Sequence, residues 1–167
     1  SPPSWVLSQR GHIGASGDAK AVKTGRIAST ERKGFSVDIR ARLHNRELIR
    51  LDGAMGTMLQ AAGLRLGENP EVLNITAPEV VHKVHAAYFA AGSEIVYTNT
   101  FGANAHKLAR TGYTPEQVIT AAVEIAKAAA KPWGGLVALD IGPIGELLEP
   151  MGSLKFEEAY ELFVQQI

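Results

Sequence analysis

Leu51-Asp52-Gly53-Ala54-Met55-Gly56-Thr57 follows the apolar pair Leu48-Ile49 and precedes a helix-like segment at 58–62. A carboxylate at a strand end, followed by a glycine turn, offers a small ligand both a charge and bare main-chain N–H groups. The arrangement returns twice. Ile95-Val96-Tyr97-Thr98-Asn99-Thr100-Phe101-Gly102 is a buried-strand run ending in hydroxyl and amide side chains, and Leu136-Val137-Ala138-Leu139-Asp140-Ile141-Gly142 is one ending in a carboxylate. Polar residues at the carboxyl ends of successive parallel strands are where α/β folds collect their binding groups.

Between these strand ends the chain alternates strand and helix signals. An amphipathic stretch at 37–46 leads into a predicted strand at 48–52, and the helix near Met58 is followed by a loop, Gly67-Glu68-Asn69-Pro70. Thr76-Ala77-Pro78-Glu79 has the form of a capping box. Val80, Val81, Val84, Ala87, Tyr88 and Ala91 follow at helical spacing, and Gly92 stops the helix before a strand at 94–98. Thr114-Pro115-Glu116-Gln117 opens a second helix with Val118, Ala122, Ile125 and Ala129 on one face, and Pro132-Trp133-Gly134-Gly135 ends it. A last helix is predicted after Ser153 as its cap, with Phe156, Ala159, Tyr160, Phe163 and Ile167 on one face and no stop signal.

This order implies an α/β fold with a parallel sheet, either an open doubly wound sheet or the first three βα units of a (β/α)8 barrel. A closed barrel needs eight strands and about 250 residues, so a barrel reading makes the chain the first, incomplete part of one. Residues 1–33 show no periodicity and hold only Asp18 and Glu31 as acids. They read as a disordered leader or non-native extension in preference to a transit peptide, which would need an amphipathic apolar face. Residues 34–167 form the expected domain.

The 167 residues carry 17 Lys+Arg against 17 Asp+Glu, so no net field attracts nucleic acid or an acidic membrane. No apolar run approaches the roughly 20 residues of a membrane span. A soluble, cytoplasmic protein with a small-molecule task is expected. The absence of cysteine excludes disulfides, thiolate zinc ligands and cysteine nucleophiles within this chain.

The glycines at 53 and 56 lack the spacing of a dinucleotide fingerprint. Thr98, Asn99 and Thr100 suit either ligand binding or local capping, with binding favoured. His82 and His85 lie three apart on one helix, without the carboxylate of a zinc-protease motif, and are expected as solvated surface residues. His106 has no evident partner. Asp140, ahead of a rigid Gly-Pro turn, is a secondary site candidate.

Leu51-Asp52-Gly53-Ala54-Met55-Gly56-Thr57-Met58, Gly67-Glu68-Asn69-Pro70-Glu71-Val72-Leu73-Asn74, Tyr97-Thr98-Asn99-Thr100-Phe101-Gly102-Ala103-Asn104 and Asp140-Ile141-Gly142-Pro143 together resemble the start of the homocysteine-binding domain of cobalamin-dependent methionine synthase, over about 37–167. The resemblance implies a (β/α)8 barrel in which homocysteine lies at the carboxyl mouth, its sulfur activated by zinc. The thiolate then takes a methyl group from methylcobalamin. It further implies that Asp52 and the Gly53-Ala54 backbone hold the amino acid end of homocysteine, helped by Thr98, Asn99 and Thr100. Folate- and cobalamin-binding modules are expected downstream. The family's zinc ligands are cysteines of later strands, so the resemblance carries no metal ligand or catalytic residue onto this chain, which is expected to be inactive alone. A cobalamin-free homocysteine S-methyltransferase using betaine or S-methylmethionine is the alternative enzyme. A non-catalytic half-barrel, whose exposed edges would favour association, is the alternative of another kind.

Overall fold

The computed structural model describes residues 38–167. The expected leader and the expected domain start at residue 34 lie outside the described residues.

Two parallel strands form the sheet: β1 (Ile95–Tyr97) pairs with β2 (Leu136–Ala138) in the register Ile95–Leu136, Val96–Val137, Tyr97–Ala138. The strand predicted at 48–52 is reduced to a single parallel bridge between Leu51 and Ile95. Asp52 N–H still donates to the Ile95 carbonyl (3.1 Å), and Ile95 N–H to that of Arg50 (3.3 Å). This segment runs as an edge with Leu48 82% exposed, so only its carboxyl half is drawn into pairing.

Ahead of it lies α1 (Ile39–His44), capped by the Asp38 carboxylate. Its Arg42 reaches Glu94, at the start of β1, at 2.6 Å, while Arg50 N–H donates to the other Glu94 oxygen at 3.1 Å. Arg42 holds the Glu94 carboxyl below the usual carboxylate range. The ion pair thus ties α1 and the edge segment to the amino end of β1.

The remaining helices are α2 (Met55–Ala61), α3 (Leu73–Thr76), α4 (Pro78–Ala91), α5 (Ala105–Leu108), α6 (Pro115–Ala130) and α7 (Phe156–Val164), with 3-10 turns at Pro70–Val72 and Lys131–Trp133. The Thr114 cap is as expected: Thr114 Oγ1 accepts from Gln117 N–H (3.3 Å) and Gln117 Oε1 from Thr114 N–H (3.0 Å). Gly92 ends α4 in the left-handed conformation, as expected. The capping box at Thr76 does not form. Thr76 already closes α3, where its hydroxyl donates to the Val72 carbonyl at 3.2 Å, and Ala77 caps α4 without a side-chain bond.

The core gathers where α4 and α6 pack against β1. Phe89 is surrounded by Val96, Ala126, Ala129 and Ala130, and Leu59, Val81 and Val84 form a second cluster between α2 and α4. The buried face of α4 is Val81, Val84, His85 and Phe89, rotated from the predicted stripe. His85 is therefore fully buried rather than solvated, and among the described residues neither ring nitrogen has a hydrogen-bond partner. Burial pushes its pKa down to about 4, keeping it neutral. The predicted face of α7 is also corrected. Only Ala159 of that set is buried, whereas Phe156, Tyr160, Phe163 and Ile167 are exposed, because α7 packs through Ala159 and Leu162 on Ile144 and Leu154. The expected Ser153 cap is replaced by Lys155, whose N–H donates to Glu158 at 3.4 Å.

The Phe89 ring occupies the space where a side chain on Gly135 would stand. Gly135→Ala should therefore force ring and backbone apart and cost about 1–3 kcal/mol. A lowered urea midpoint at unchanged m-value would register this; an unchanged midpoint would mean that the ring swings aside freely.

Candidate functional site

Three chain segments end side by side at the carboxyl edge of the sheet, bearing Asp52, Thr98–Thr100 and Asp140. Parallel registration does this, because each segment leaves the sheet at nearly the same level.

Asp52 Oδ2 accepts from Tyr97 N–H at 3.1 Å. Its Oδ1 is buried and, among the described residues, has no hydrogen-bond partner. Desolvation, with a smaller contribution from the Asp140 charge, outweighs the Tyr97 bond and raises the Asp52 pKa from 3.8 to about 6. Burial raises the Asp140 carboxyl as well. Beside Asp52, the Tyr88 hydroxyl donates to the Ala54 carbonyl (3.1 Å) and its ring lies against Gly53. Among the described residues, no protein acceptor takes the N–H groups of Gly53 and Ala54. One buried carboxylate oxygen and the next two main-chain amides along the chain are therefore without a protein partner among the described residues.

Thr98 and Thr100 are buried and bonded to each other at 2.6 Å. Thr98 Oγ1 accepts from Asp140 N–H (3.1 Å), and Thr100 Oγ1 donates to the Asp140 carbonyl (2.7 Å). A hydroxyl has one proton, so the direction of every bond is settled: Asp140 N–H to Thr98, Thr98 to Thr100, Thr100 back to Asp140 C=O. This closed ring fixes the main-chain N–H and C=O of Asp140 and leaves its carboxylate outside the ring. Asn99, on the alternate residue, turns the other way: its Nδ2 donates to the Pro70 carbonyl (2.8 Å) and to Asn74 Oδ1 (3.0 Å).

The structure therefore brings together Asp52, Gly53, Ala54, Thr98, Thr100 and Asp140, and sends the Asn99 side chain toward the 70–74 segment. Sequence reasoning gave no role to Tyr88, Glu71 or Asn74. Glu71 and Asn74 could have been noticed as polar residues three apart amid Pro70, Val72, Leu73 and Ile75, a segment apolar enough to be buried. His106 finds a partner in Glu146 at 3.2 Å. Among the described residues, no three His, Cys, Asp or Glu side chains are placed to hold a metal ion, and no helix is long and apolar enough to cross a membrane.

Comparison with known proteins gives a consistent result. The family model described as homocysteine S-methyltransferase matches residues 49–167. Methionine synthase of Mycobacterium leprae is 38% identical over 89 residues, which is 50% of this chain and 7% of that protein. Homocysteine S-methyltransferase of Escherichia coli is 33% identical over 124 residues, 66% of this chain and 40% of that protein. The crystal structure of the E. coli homocysteine methyltransferase MmuM in its oxidized form superposes with a TM-score of 0.57 at 30% identity, covering 64% of this chain and 41% of that one. The chain thus spans less than half the length of the relatives it matches.

Folded Asp52 holds its proton to a higher pH than the unfolded chain does. The stability linked to that proton is present below pH 3.8 and is lost as pH rises toward about 6. Asp52→Asn keeps an acceptor for Tyr97 N–H but does not ionise, so its denaturation midpoint should fall less than the parent's across that window. Parallel curves for the two proteins would show that Asp52 titrates normally.

Proposed function

The chain belongs to the homocysteine S-methyltransferase family, and from that premise we propose that it forms the first βα units of a (β/α)8 barrel and supplies the wall that recognises the amino acid end of homocysteine. The supporting observation is the unpaired Asp52 oxygen beside the free N–H groups of Gly53 and Ala54. A zwitterionic amino acid carries an ammonium and a carboxylate on one carbon. The ammonium suits Asp52, and the carboxylate suits main-chain amides. Thr98 and Thr100 shape the adjoining wall, Asn99 holds that wall to the 70–74 segment, and Asp140 adds a second negative charge near the ammonium.

In the overall reaction the homocysteine thiol loses its proton, a new sulfur–methyl bond forms, and the bond between methyl and donor breaks. The residues of this chain do not fit a zinc ion: cysteine is absent, and the described His, Asp and Glu side chains form no ligand set. Thiol activation is therefore assigned to groups outside these residues. The role of this chain is to fix the ammonium and carboxylate, which limits where the sulfur can stand.

Two donor readings follow. Methylcobalamin, charged from methyltetrahydrofolate and presented by separate modules, is favoured by the 38% identity to a methionine synthase. A cobalamin-free donor such as S-methylmethionine or betaine is supported by the E. coli homocysteine S-methyltransferase, which matches 66% of this chain. Supplying each donor in turn to the complete enzyme distinguishes them.

In that enzyme, Asp52→Ala should lose a charge-assisted bond worth about 1.5–3 kcal/mol, or roughly ten- to more than a hundredfold in kcat/KM for homocysteine. Bound zinc should not change. The parental KM for homocysteine should also rise as pH falls through about 6, where Asp52 takes up its proton. Full activity of Asp52→Ala at low homocysteine, or metal loss in parallel with substrate affinity, would count against this assignment.

A further inference from the structure

Glu71 is 5% exposed and Asn74 2% exposed, although neither belongs to a strand end. Glu71 Oε1 accepts from Gly102 N–H at 2.6 Å. A Cβ added at Gly102 would stand 2.7 Å from that same oxygen, so the carboxylate fills the space beside the glycine. Asn74 Nδ2 donates to the Asn99 carbonyl (2.8 Å) and to that of Val118 (3.4 Å), while Asn74 Oδ1 accepts from Asn99 Nδ2 (3.0 Å). The loop after β1 is thus bonded to the 70–74 segment at Asn99 and at Gly102. Between those two anchors stands Thr100, and before them Thr98, the two hydroxyls that hold the Asp140 peptide.

We propose that Glu71 and Asn74 are positioning residues of the homocysteine site: by gripping Asn99 and Gly102 they set where Thr98 and Thr100 stand and, through the hydroxyl ring, where Asp140 stands. The proposal rests on reading these strand ends as the place where homocysteine binds. Neither residue touches substrate. Desolvating a carboxylate is costly unless it is bonded, and a need for packing alone would be met by an apolar side chain. What a carboxylate and an amide add is direction: each bond fixes one peptide group of the loop, and a residue at a single site can lose substrate affinity when such a group shifts by a fraction of an ångström.

The test is steady-state kinetics of the complete enzyme at saturating methyl donor, with thermal unfolding of every variant. Glu71→Ala and Asn74→Ala should each raise the KM for homocysteine by about tenfold, with a smaller change in kcat. Glu71→Gln keeps an oxygen to accept from Gly102 and should regain most of that loss. Gly102→Ala should raise KM as Glu71→Ala does, and the double variant should cost less than the sum, because the group that the new methyl meets has gone. Variants that unfold earlier but keep the parental KM would overturn the positioning role, as would Glu71→Gln failing to improve on Glu71→Ala. If Glu71→Ala does not fold, Gly102→Ala decides by the same measurement. Asp52→Ala run alongside separates the two readings. A KM rise for Asp52→Ala alone overturns the role of Glu71 and Asn74, whereas no rise for any variant overturns the site itself and this proposal with it.

Discussion

Ile95 joins the edge segment to the sheet: its carbonyl accepts from Asp52 N–H, its own N–H donates to the Arg50 carbonyl, and it stands in register with Leu136 of β2. Main-chain pairing of this kind tolerates no half-step. A slip by one residue would turn every side chain to the other face, putting Tyr97 in place of Val96 in the Phe89 cluster. Val96, buried against Phe89 while Tyr97 is exposed, opposes that slip, and without it the segments leave the sheet together. Asp52, Thr98 and Asp140 are neighbours for this reason and not through any affinity for one another. The two carboxyl groups in fact repel, and the Asp140 charge contributes to the raised Asp52 pKa.

Such a junction has many polar groups to satisfy. The Thr98–Thr100–Asp140 ring takes up two hydroxyls and both the N–H and the C=O of Asp140, leaving no donor within it unused. Asn99 and Asn74 exchange amide bonds in the same spirit. Among the described residues Asp52 Oδ1 stays unbonded, as do both ring nitrogens of His85, Asn104 Nδ2 and Gln166 Oε1; of these it alone belongs to a carboxylate. An unpaired buried carboxylate oxygen is costly, and a fold that pairs its other strand-end groups so completely could have been stabilised by Asn or Ser at this position. The cost is explicable if a cation occupies the place during function.

Much of this is legible in the sequence. The α6 cap, the Gly92 stop and the identity of the three strand ends follow from local chemistry, in which a residue and its partner lie three or four positions apart. Errors arose where the partner is distant. Thr76 has the right neighbours for a cap, yet the preceding turn had already become α3 through packing of Leu73 and Ile75. The stripe drawn from spacing along α4, Val80, Val81, Val84, Ala87, Tyr88 and Ala91, shares Val81 and Val84 with the buried set, and only the position of α6 and β1 adds His85 and Phe89 to it. Phe156, Tyr160 and Phe163 look like a buried face by spacing alone, but burial needs an opposing surface, which the described residues place on the side of Ala159 and Leu162. The bonds of Glu71 and Asn74 to the loop after β1 do not follow from the sequence, because their partners lie 31 and 25 residues away.

The composition of the chain and the geometry of its strand ends constrain the chemistry in the same direction. Carboxylates, hydroxyls and main-chain amides are hard, directional groups, well suited to the ammonium and carboxylate of an amino acid and poorly suited to a thiolate, which prefers soft partners. A chain without cysteine can therefore grip one end of homocysteine firmly while contributing nothing that would favour its sulfur. That is an advantage where the sulfur must react. Binding energy spent on the unreactive end holds the substrate in place in ground and transition states alike, and it leaves the nucleophile free of interactions that would have to be broken as the methyl group arrives. On the proposed reading the strand ends hold the amino acid end of the substrate and fix how it lies, and the selectivity for a thiol is set by groups these residues do not provide.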